Sequence, residues 1–247
     1  MKPSSFFFIA IVLSCNSQTV ERDIVLINVE NLDRAGIADE ITTINSFDPK
    51  VIAIDLQFSS HTEYDKDTRL IQAFDKCNNL IMVSIIEDYN GEDVVYTNGF
   101  TFGSLPVYLI NAQTGFANTI LEKDEHQTLK SFSIVENMDG FNEYHFGVRT
   151  AMAFDSLKTM AFVKDNPRII DIDYQSGKRK FKTFSASDVF NKKVTRKDIE
   201  GKIILIGYVG PTDEDKFFSP FNKRAKPNKP DVYGLEYYAY VITQVLK

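Results

Sequence analysis

Residues 201–221 have the sequence GKIILIGYVGPTDEDKFFSPF, in which a short apolar run is followed by a polar loop. The apolar run covers residues 203–206 and ends at Gly207. A run of this length without alternation is typical of a strand buried on both faces, and such strands occur in parallel sheets with helices on either side. The stretch therefore predicts a central strand of an α/β fold.

The loop after this strand contains Tyr208, Gly210 and an acidic run that includes Asp213 and Asp215. In open α/β sheets, ligands bind beyond the carboxyl ends of the strands. We therefore expect Tyr208, Asp213 and Asp215 to belong to a ligand-binding site.

The first third of the chain repeats a strand–helix–strand order. Apolar runs of strand length alternate with segments that carry apolar residues at helical spacing. The predicted strands are at residues 23–30, 51–58 and 80–86, and the predicted helices are at residues 35–47 and 67–77. Two successive units of this kind predict the α/β class, with a mainly parallel central sheet and flanking helices. Cys77 occupies an apolar position of the second helix, so we expect it to pack in the core.

Two β-hairpins are predicted as insertions in this framework. Asn90-Gly91 suits a two-residue turn that needs positive φ, with a return strand at residues 94–96. Residues 168–174 and 179–184 alternate between apolar and polar side chains and are joined by Ser176-Gly177, which predicts the second hairpin.

The remaining elements are less regular. Residues 100–118 are expected to be mainly loop with short strands, and helical spacing returns at residues 145–157, 185–190 and 232–246. Ser185 or Ser187 is available to cap the second of these helices. The last helix is expected to cover the sheet.

Composition favours one globular domain. The chain has 247 residues, of which 43% are hydrophobic and 25% charged, which is enough apolar material for a full core. The net charge of -6 argues against a nucleic-acid partner, which would require a basic face. Basic residues cluster at 178–182 and 223–229, beside glycine and proline, and both clusters are interpreted as solvated turns.

The first residues differ in character from the rest. An apolar run at residues 6–13 is too short to span a bilayer, which takes about 20 residues, and suits a signal peptide at 1–14. Val12-Leu13-Ser14-Cys15 resembles a bacterial lipobox, which predicts lipidation of Cys15, a linker at 15–22 and a domain at 23–247. An ordinary export signal and a buried amino-terminal strand are the alternatives.

Carboxylates after two predicted strands are the candidate chemistry. Asp55 ends one buried strand, and Asp213 and Asp215 follow another, so the three face one crevice if these strands are neighbours. Such a cluster suits a hard cation, or the hydroxyls and ammonium of a small polar ligand. The alternative is that Asp55 caps a turn and the acidic run is only hydrated. We assign no metal and no cofactor.

Other familiar sites are not indicated. The Gly207 loop lacks a dinucleotide fingerprint and a phosphate-binding loop, and its acids would repel phosphate. The histidines have no metal-ligand spacing and are expected in surface or ordinary polar roles; they are His61, His126 and His145. Ser59 and Ser60 precede His61 without a nucleophile elbow, so catalysis there is rejected.

Aromatic residues gather near the last helix. Tyr233, Tyr237 and Tyr240 are expected on the side of that helix opposite Tyr238. Together with Phe217 and Phe218 they either form an interface to a partner or cover the sheet.

The order of the segments resembles the second type of CHASE domain, a sensory domain of bacterial cyclases and histidine kinases. The matching pieces are DIVLINVE (23–30), PKVIAIDLQF (49–58), GFANT (115–119), SASDVF (185–190), GKIILIG (201–207), DKFFSPF (215–221) and GLEYYA (234–239). The resemblance implies an extracytoplasmic domain that binds a stimulus and passes it through the membrane to an enzymatic module.

Two departures from the family pattern affect this interpretation. Members usually continue into transmembrane helices, whereas this sequence stops at Lys247, and they commonly have a histidine where this chain has Tyr238. The leading hypothesis is a non-catalytic sensor on the extracytoplasmic face of the cell envelope. It is tethered to a membrane by lipid on Cys15, and its partner is a small molecule or an envelope protein. The alternatives are the truncated front of a receptor, and an envelope hydrolase that uses Asp55 with Asp213 or Asp215.

Overall fold

A computed structural model describes residues 20–92, 95–96, 101–174, 181–213, 215–222 and 229–247. The predicted signal peptide and Cys15 lie outside these residues, as do the turn at Ser176-Gly177 and most of both basic clusters. Within the described part, the chain forms a central sheet, helices on both of its faces and three smaller sheets.

Six parallel strands form the central sheet, which confirms the predicted α/β class. In chain order they are β1 (Ile24–Asn28), β2 (Val51–Ile54), β3 (Leu80–Ile86), β6 (Ala112–Phe116), β12 (Lys182–Ser185) and β13 (Ile203–Gly207). Their spatial order is β12-β1-β13-β2-β3-β6, and β5 (Thr101–Gly103) pairs antiparallel with the end of β3.

The smaller sheets are built mostly from the middle of the chain. One contains β4 (Val95–Tyr96), β9 (Val135–Met138) and β10 (Phe141–Tyr144), and a second contains β7 (Ile120–Leu121), β8 (Leu129–Ser133) and β11 (Ile169–Asp171). The third joins β14 (Lys216–Phe217) to β15 (Val232–Tyr233). The antiparallel pair β9–β10 is an inserted hairpin, because Asp139 and Gly140 both have the positive φ that its tight turn requires.

Helices cover both faces of the central sheet. They are α1 (Arg34–Asn45), α2 (Tyr64–Asp75), α3 (Phe146–Phe154), α4 (Ser156–Asp165), α5 (Ala186–Phe190), α6 (Arg196–Ile199) and α7 (Gly234–Val245). Short 3₁₀ turns occupy Val20–Asp23 and Pro106–Tyr108. Ser185 caps α5 by accepting a hydrogen bond from the Asp188 amide at 3.1 Å, which selects one of the two predicted caps.

The strand β13 lies at the centre, as its sequence predicts. It pairs parallel with β1 on one side and with β2 on the other, and every one of its residues is buried. Ile203 and Leu205 pack into the core beneath α3 and α7, whereas Ile204 and Ile206 pack into the core beneath α1 and α2. Both faces of this strand are therefore removed from water.

Both predicted hairpins are wrong, because their strands pair with distant partners. The return strand after Asn90-Gly91 pairs as β4 with β9 and not with β3, although Gly91 has the predicted positive φ. Of the second pair, β11 joins β8 and β12 joins β1. Local alternation indicates a strand but does not specify its neighbour.

The predicted helix at residues 145–157 is divided in two. Asp155 has extended backbone angles and caps α4, because its carboxylate accepts a hydrogen bond from the Lys158 amide at 3.1 Å. The final helix packs against β13, β1 and α3 as predicted. Its expected first residues, Val232 and Tyr233, form β15 instead.

Shortening a side chain of β13 should cost much more stability than the same change on the surface. Ile204 is fully buried, so Ile204→Ala is expected to lower the free energy of unfolding by about 2–5 kcal/mol. Ile110 is 69% exposed, so the chemically identical Ile110→Ala should change it by less than about 0.5 kcal/mol. Urea denaturation measures both. Equal losses would contradict the central position of β13.

Candidate functional site

A cavity of about 470 Å³ lies at the carboxyl edge of the central sheet. Its walls come from the ends of β2 and β3, the segment after β6, the loop after β13 and the start of α7. The described residues that line it are Asp55, Leu56, Gln57, Val83, Ile85, Tyr89, Ala117, Asn118, Thr119, Asp215, Phe217, Gly234 and Tyr238. Two are acidic and none is basic, so these residues give the cavity a negative character.

Asp55 is placed in the cavity by the pairing of β2 with β13. Its amide donates a hydrogen bond to the Ile206 carbonyl at 2.8 Å, so the residue stands beside the end of the central strand. A side chain at Gly207 would place a Cβ 3.2 Å from the Asp55 Cβ and 2.9 Å from Leu235. Glycine at this position therefore allows Asp55 and α7 to lie close together. Burial, and then the charge of Asp215, raise the pKa of Asp55 to about 7.

Asp215 reaches the same cavity from the loop after β13. Its carbonyl accepts a hydrogen bond from the Gly234 amide at 2.9 Å, which fixes it against the start of α7. A Cβ at Gly234 would lie 2.9 Å from the Asp215 Oδ2 atom, so only glycine leaves space for the carboxylate there. Burial raises the pKa of Asp215 to about 6. Neither Asp55 nor Asp215 has a side-chain hydrogen-bond partner among the described residues.

Tyr238 forms the inner wall of the cavity. Its side chain is only 5% exposed and packs against Phe146 and Tyr237, with ring centroids 4.8 Å and 5.0 Å away. Burial first, and then the charges of Asp55 and Asp215, raise the pKa of its phenol well above the usual value. Within the described part of the chain, the phenol has no hydrogen-bond partner although it opens into the cavity.

Tyr208 and Asp213, the other predicted ligand residues, do not line the cavity. The Tyr208 hydroxyl lies 2.9 Å from Thr212 Oγ1 and its ring lies against Gly210. The Asp213 carboxylate accepts a hydrogen bond from Lys216 Nζ at 2.8 Å, and this bond holds its pKa below the usual range. Of the three expected carboxylates, the structure thus brings together Asp55 and Asp215. Ligand roles for all four residues stay predictions.

The loop between Gly207 and Gly210 is held in place by hydrogen bonds at both ends. Asn28, the last residue of β1, accepts a hydrogen bond from the Val209 amide on its Oδ1 atom at 2.9 Å. The Tyr233 hydroxyl donates to the Gly210 carbonyl at 2.6 Å. The cavity rim is therefore fixed to the sheet and to the residue that precedes α7.

Several lining residues are not among those that the sequence predicts. Asn118 closes the end of β3, because its side-chain amide accepts from the Ile86 amide at 2.7 Å and donates to the Ile86 carbonyl at 3.0 Å. The Tyr89 hydroxyl donates to Glu136 Oε1 at 3.2 Å, and Glu136 forms an ion pair with Arg168 at 2.7 Å. The position of Asn118 just beyond β6 is the available signal. Nothing local in the sequence indicates Tyr89, and Tyr238 is singled out only by the family pattern, which commonly has a histidine at its position.

His145 has an ordinary polar role, deep in the core. It is fully buried, and its Nδ1 atom accepts a hydrogen bond from the Gly147 amide at 3.2 Å to cap α3. Burial lowers its pKa to about 3, so the ring is neutral and its Nε2–H donates to the Tyr237 hydroxyl at 2.8 Å. Of the other histidines, His61 is exposed and contacts Asp67, whereas His126 stacks on Phe218.

The tyrosines of the last helix mainly cover the sheet. Tyr237 is fully buried and Tyr240 is 6% exposed, which favours core packing over an interface to a partner. Cys77 is buried in the core beneath α1 and α2 as expected.

Neither a metal cluster nor a membrane span is found in the described ranges. No group of three or more histidine, cysteine or acidic residues there is arranged to hold a metal ion. None of the helices formed by these residues has both the length and the apolar character needed to cross a membrane.

Stability should fall as pH rises towards neutrality because of Asp55. An acid whose pKa is raised in the folded state binds more protons when the protein is folded than when it is unfolded. The free energy of unfolding therefore decreases as the pH rises from the ordinary pKa of 3.8 to about 7. Asp55→Asn cannot ionise, so it does not show this decrease. Above about pH 7 the variant should exceed the natural protein in the free energy of unfolding by up to about 4 kcal/mol, and near pH 4 the difference should vanish.

Urea denaturation at several pH values measures this effect. Asp213→Asn is the matched control. The pKa of Asp213 is lowered, so its neutralisation should not increase the free energy of unfolding at alkaline pH. An Asp55→Asn variant no more stable than the natural protein at about pH 8 would contradict the raised pKa of the partly buried Asp55.

Comparison with known proteins identifies the family of this chain. A family model described as CHASE2 domain matches residues 11–247, nearly the whole chain. No curated protein and no solved structure gives a significant match. Domains of this family are extracellular sensory domains, which agrees with the predicted extracytoplasmic location. Because this match covers nearly the whole chain, the chain belongs to the CHASE2 domain family.

Proposed function

We propose that this CHASE2 domain is an extracytoplasmic sensor that binds a small polar ligand in the cavity at the carboxyl edge of its sheet. The observation that carries the proposal is the pair Asp55 and Asp215. Both carboxylates face one cavity, and neither has a hydrogen-bond partner within the described residues. Buried charged groups normally have such partners, because an unpaired one costs stability. A bound ligand that supplies the missing donors accounts for this arrangement.

Binding without reaction is the function that the lining supports best. Catalysis of hydrolysis requires donors aimed at the negative charge that develops in the transition state. The described lining residues offer no basic side chain, and the amide of Asn118 is already used by the backbone of Ile86. The two carboxylates are therefore equipped to hold a ligand, and the described lining offers no basic side chain to stabilise the negative charge of a reacting centre.

One observation favours the alternative of an envelope hydrolase. The raised pKa values of about 7 for Asp55 and about 6 for Asp215 would let one carboxyl donate a proton while the other accepts one near neutral pH. In this case Asp55 and Asp215 form the acid/base pair. Asp213 is unsuited, because its carboxylate is engaged with Lys216 outside the cavity lining.

Native mass spectrometry distinguishes the two functions. The purified domain is incubated with the small-molecule fraction of the host's envelope and then examined for bound mass. We expect a non-covalent adduct whose ligand is recovered chemically unchanged, and its loss in Asp55→Asn and Asp215→Asn, because each change removes a charged partner. Asp171→Asn, at an exposed carboxylate outside the cavity lining, should keep the adduct. Conversion of a compound by the natural protein but not by Asp55→Asn would support the hydrolase instead.

We further propose that the domain is held at a membrane by lipid on Cys15. The support comes from sequence, namely the apolar run at residues 6–13 and the lipobox-like Val12-Leu13-Ser14-Cys15. The described chain begins at Val20, whose 3₁₀ turn leads directly into β1, so the tether would join the domain at the start of the sheet. Acyl chains hold a protein at a membrane by about 0.8 kcal/mol for each buried methylene.

The mass of the amino-terminal peptide from host membranes tests the tether. We expect a diacylglyceryl-modified Cys15 at the amino terminus, and release of Cys15→Ser into the aqueous fraction because it cannot accept the lipid. Cys77→Ser is the matched control, since Cys77 lies buried within the domain and should leave membrane attachment unchanged. An unmodified Met1 in membrane-derived protein would contradict the lipid anchor.

A further inference from the structure

We propose that the ligand of this cavity is an organic ammonium ion with an apolar or aromatic body. The inference rests on the proposed ligand-binding function and specifies its chemistry. It combines the two carboxylates with three features of the same cavity, which are its aromatic walls, the free phenol of Tyr238 and the absence of basic groups from its described lining.

The charge of the lining selects a cation. Asp55 and Asp215 are partly buried, and Lys216, the residue after Asp215, contacts Asp213 and the ring of Tyr233. A bound ammonium supplies both a counter-charge and hydrogen-bond donors to the two carboxylates. An anion would add to the uncompensated negative charge, and a neutral alcohol would leave that charge in place.

The aromatic walls select an organic cation over a metal ion. Tyr89, Phe217 and Tyr238 all line the cavity, and the faces of aromatic rings attract ammonium groups. A divalent metal of the calcium type takes six to eight oxygen ligands, whereas the described residues form no acidic, histidine or cysteine group of three. Val83 and Ile85 add apolar surface beside the rings, which suits a hydrocarbon body attached to the charged head.

Tyr238 provides an independent indication that a ligand is expected. The residue is only 5% exposed, yet its phenol opens into the cavity without a hydrogen-bond partner in the described chain. Buried hydroxyl groups are normally satisfied. Asp55, Asp215 and Tyr238 line the same cavity, so an ammonium held there by the carboxylates can also donate to this oxygen.

The volume of the cavity sets the size of the ligand. About 470 Å³ lies within the range of about 300–1,000 Å³ that is usual for small-molecule sites. This space accommodates an ammonium group and a body of one ring or a short chain. It exceeds what a single methylammonium would fill.

Isothermal titration with three probes of one shape tests the proposal. They are 2-phenylethylammonium, neutral 2-phenylethanol and anionic 3-phenylpropanoate, used at about pH 8 where the carboxyl of Asp55 is ionised. We expect binding of the ammonium alone, and at least about tenfold weaker binding to Asp55→Asn and to Asp215→Asn. Asp171→Asn, at an exposed carboxylate outside the cavity lining, should bind as the natural protein does.

A second pair of variants tests the aromatic walls. Phe217→Leu removes one ring but keeps an apolar side chain, and it should lower the affinity for the ammonium probe by about two- to fivefold. Phe218→Leu is the matched control, because Phe218 stacks on His126 outside the cavity lining and its change should leave affinity unaltered. Circular dichroism of each variant shows that the fold is retained.

Other outcomes would overturn the assignment. If the protein binds the alcohol or the carboxylate more tightly than the ammonium, and the cavity variants lose that binding, the cavity is a ligand site but not a cation site. Binding of calcium or magnesium in place of the ammonium would identify a metal site. If no probe binds even at millimolar concentration, the ammonium assignment falls. The envelope-extract experiment then decides separately whether the cavity binds any ligand.

Discussion

The parallel pairing of β13 with β1 on one side and β2 on the other is the constraint on which the rest of the structure depends. Parallel strands in register end at the same edge of a sheet, so Asn28, Asp55 and Gly207 are brought side by side by backbone hydrogen bonds alone. Asn28 then holds the following loop through the Val209 amide. The cavity is thus a direct consequence of strand pairing, and its position does not depend on any single side chain within it.

Glycine at two positions converts this edge into a cavity that can contain charge. Gly207 admits both Asp55 and Leu235, and Gly234 admits the Asp215 carboxylate at the start of α7. Any larger residue there would displace a carboxylate or the helix. The two acids then lie in an environment that disfavours their ionised forms, which is a cost to folding near neutral pH. Acids with pKa values perturbed in this way cluster at the functional sites of proteins.

Residues at strand ends can be located from the sequence, whereas residues placed by long-range packing cannot. Asp55 is predictable because it comes directly after a buried strand, and a parallel sheet leaves it no position other than that edge. Asp213 and Asp215 are two residues apart in one loop, and only the folded chain shows that Lys216 engages the first while Gly234 makes room for the second.

The two predicted hairpins are wrong for a related reason. Local alternation indicates which side chains share a face of a strand, but it does not indicate which strand pairs with it. The sequence of β12 therefore resembles half of a hairpin, although β12 pairs with β1 at the edge of the main sheet. Tyr89 cannot be found from the sequence, and Tyr238 is marked only by the family pattern, since each is brought to the cavity by contacts between residues far apart along the chain.

The helix α7 connects the cavity to the far end of the domain. Its first turn contacts Asp215 and Gly207, and Tyr238 one turn later forms the cavity wall. Twelve residues of helix extend about 18 Å, which carries its end back along the sheet. There the Leu246 carbonyl accepts a hydrogen bond from Lys158 of α4, and the Gln244 side chain accepts one from the Asp173 amide.

Between these ends, a buried hydrogen bond joins α7 to α3. It links the Tyr237 hydroxyl to the neutral ring of His145, which also caps α3. Packed interiors do not deform continuously, so a ligand that moves Tyr238 must move the helix as a unit or leave it in place. The hydrogen bond between Tyr237 and His145 therefore couples any shift of α7 to α3.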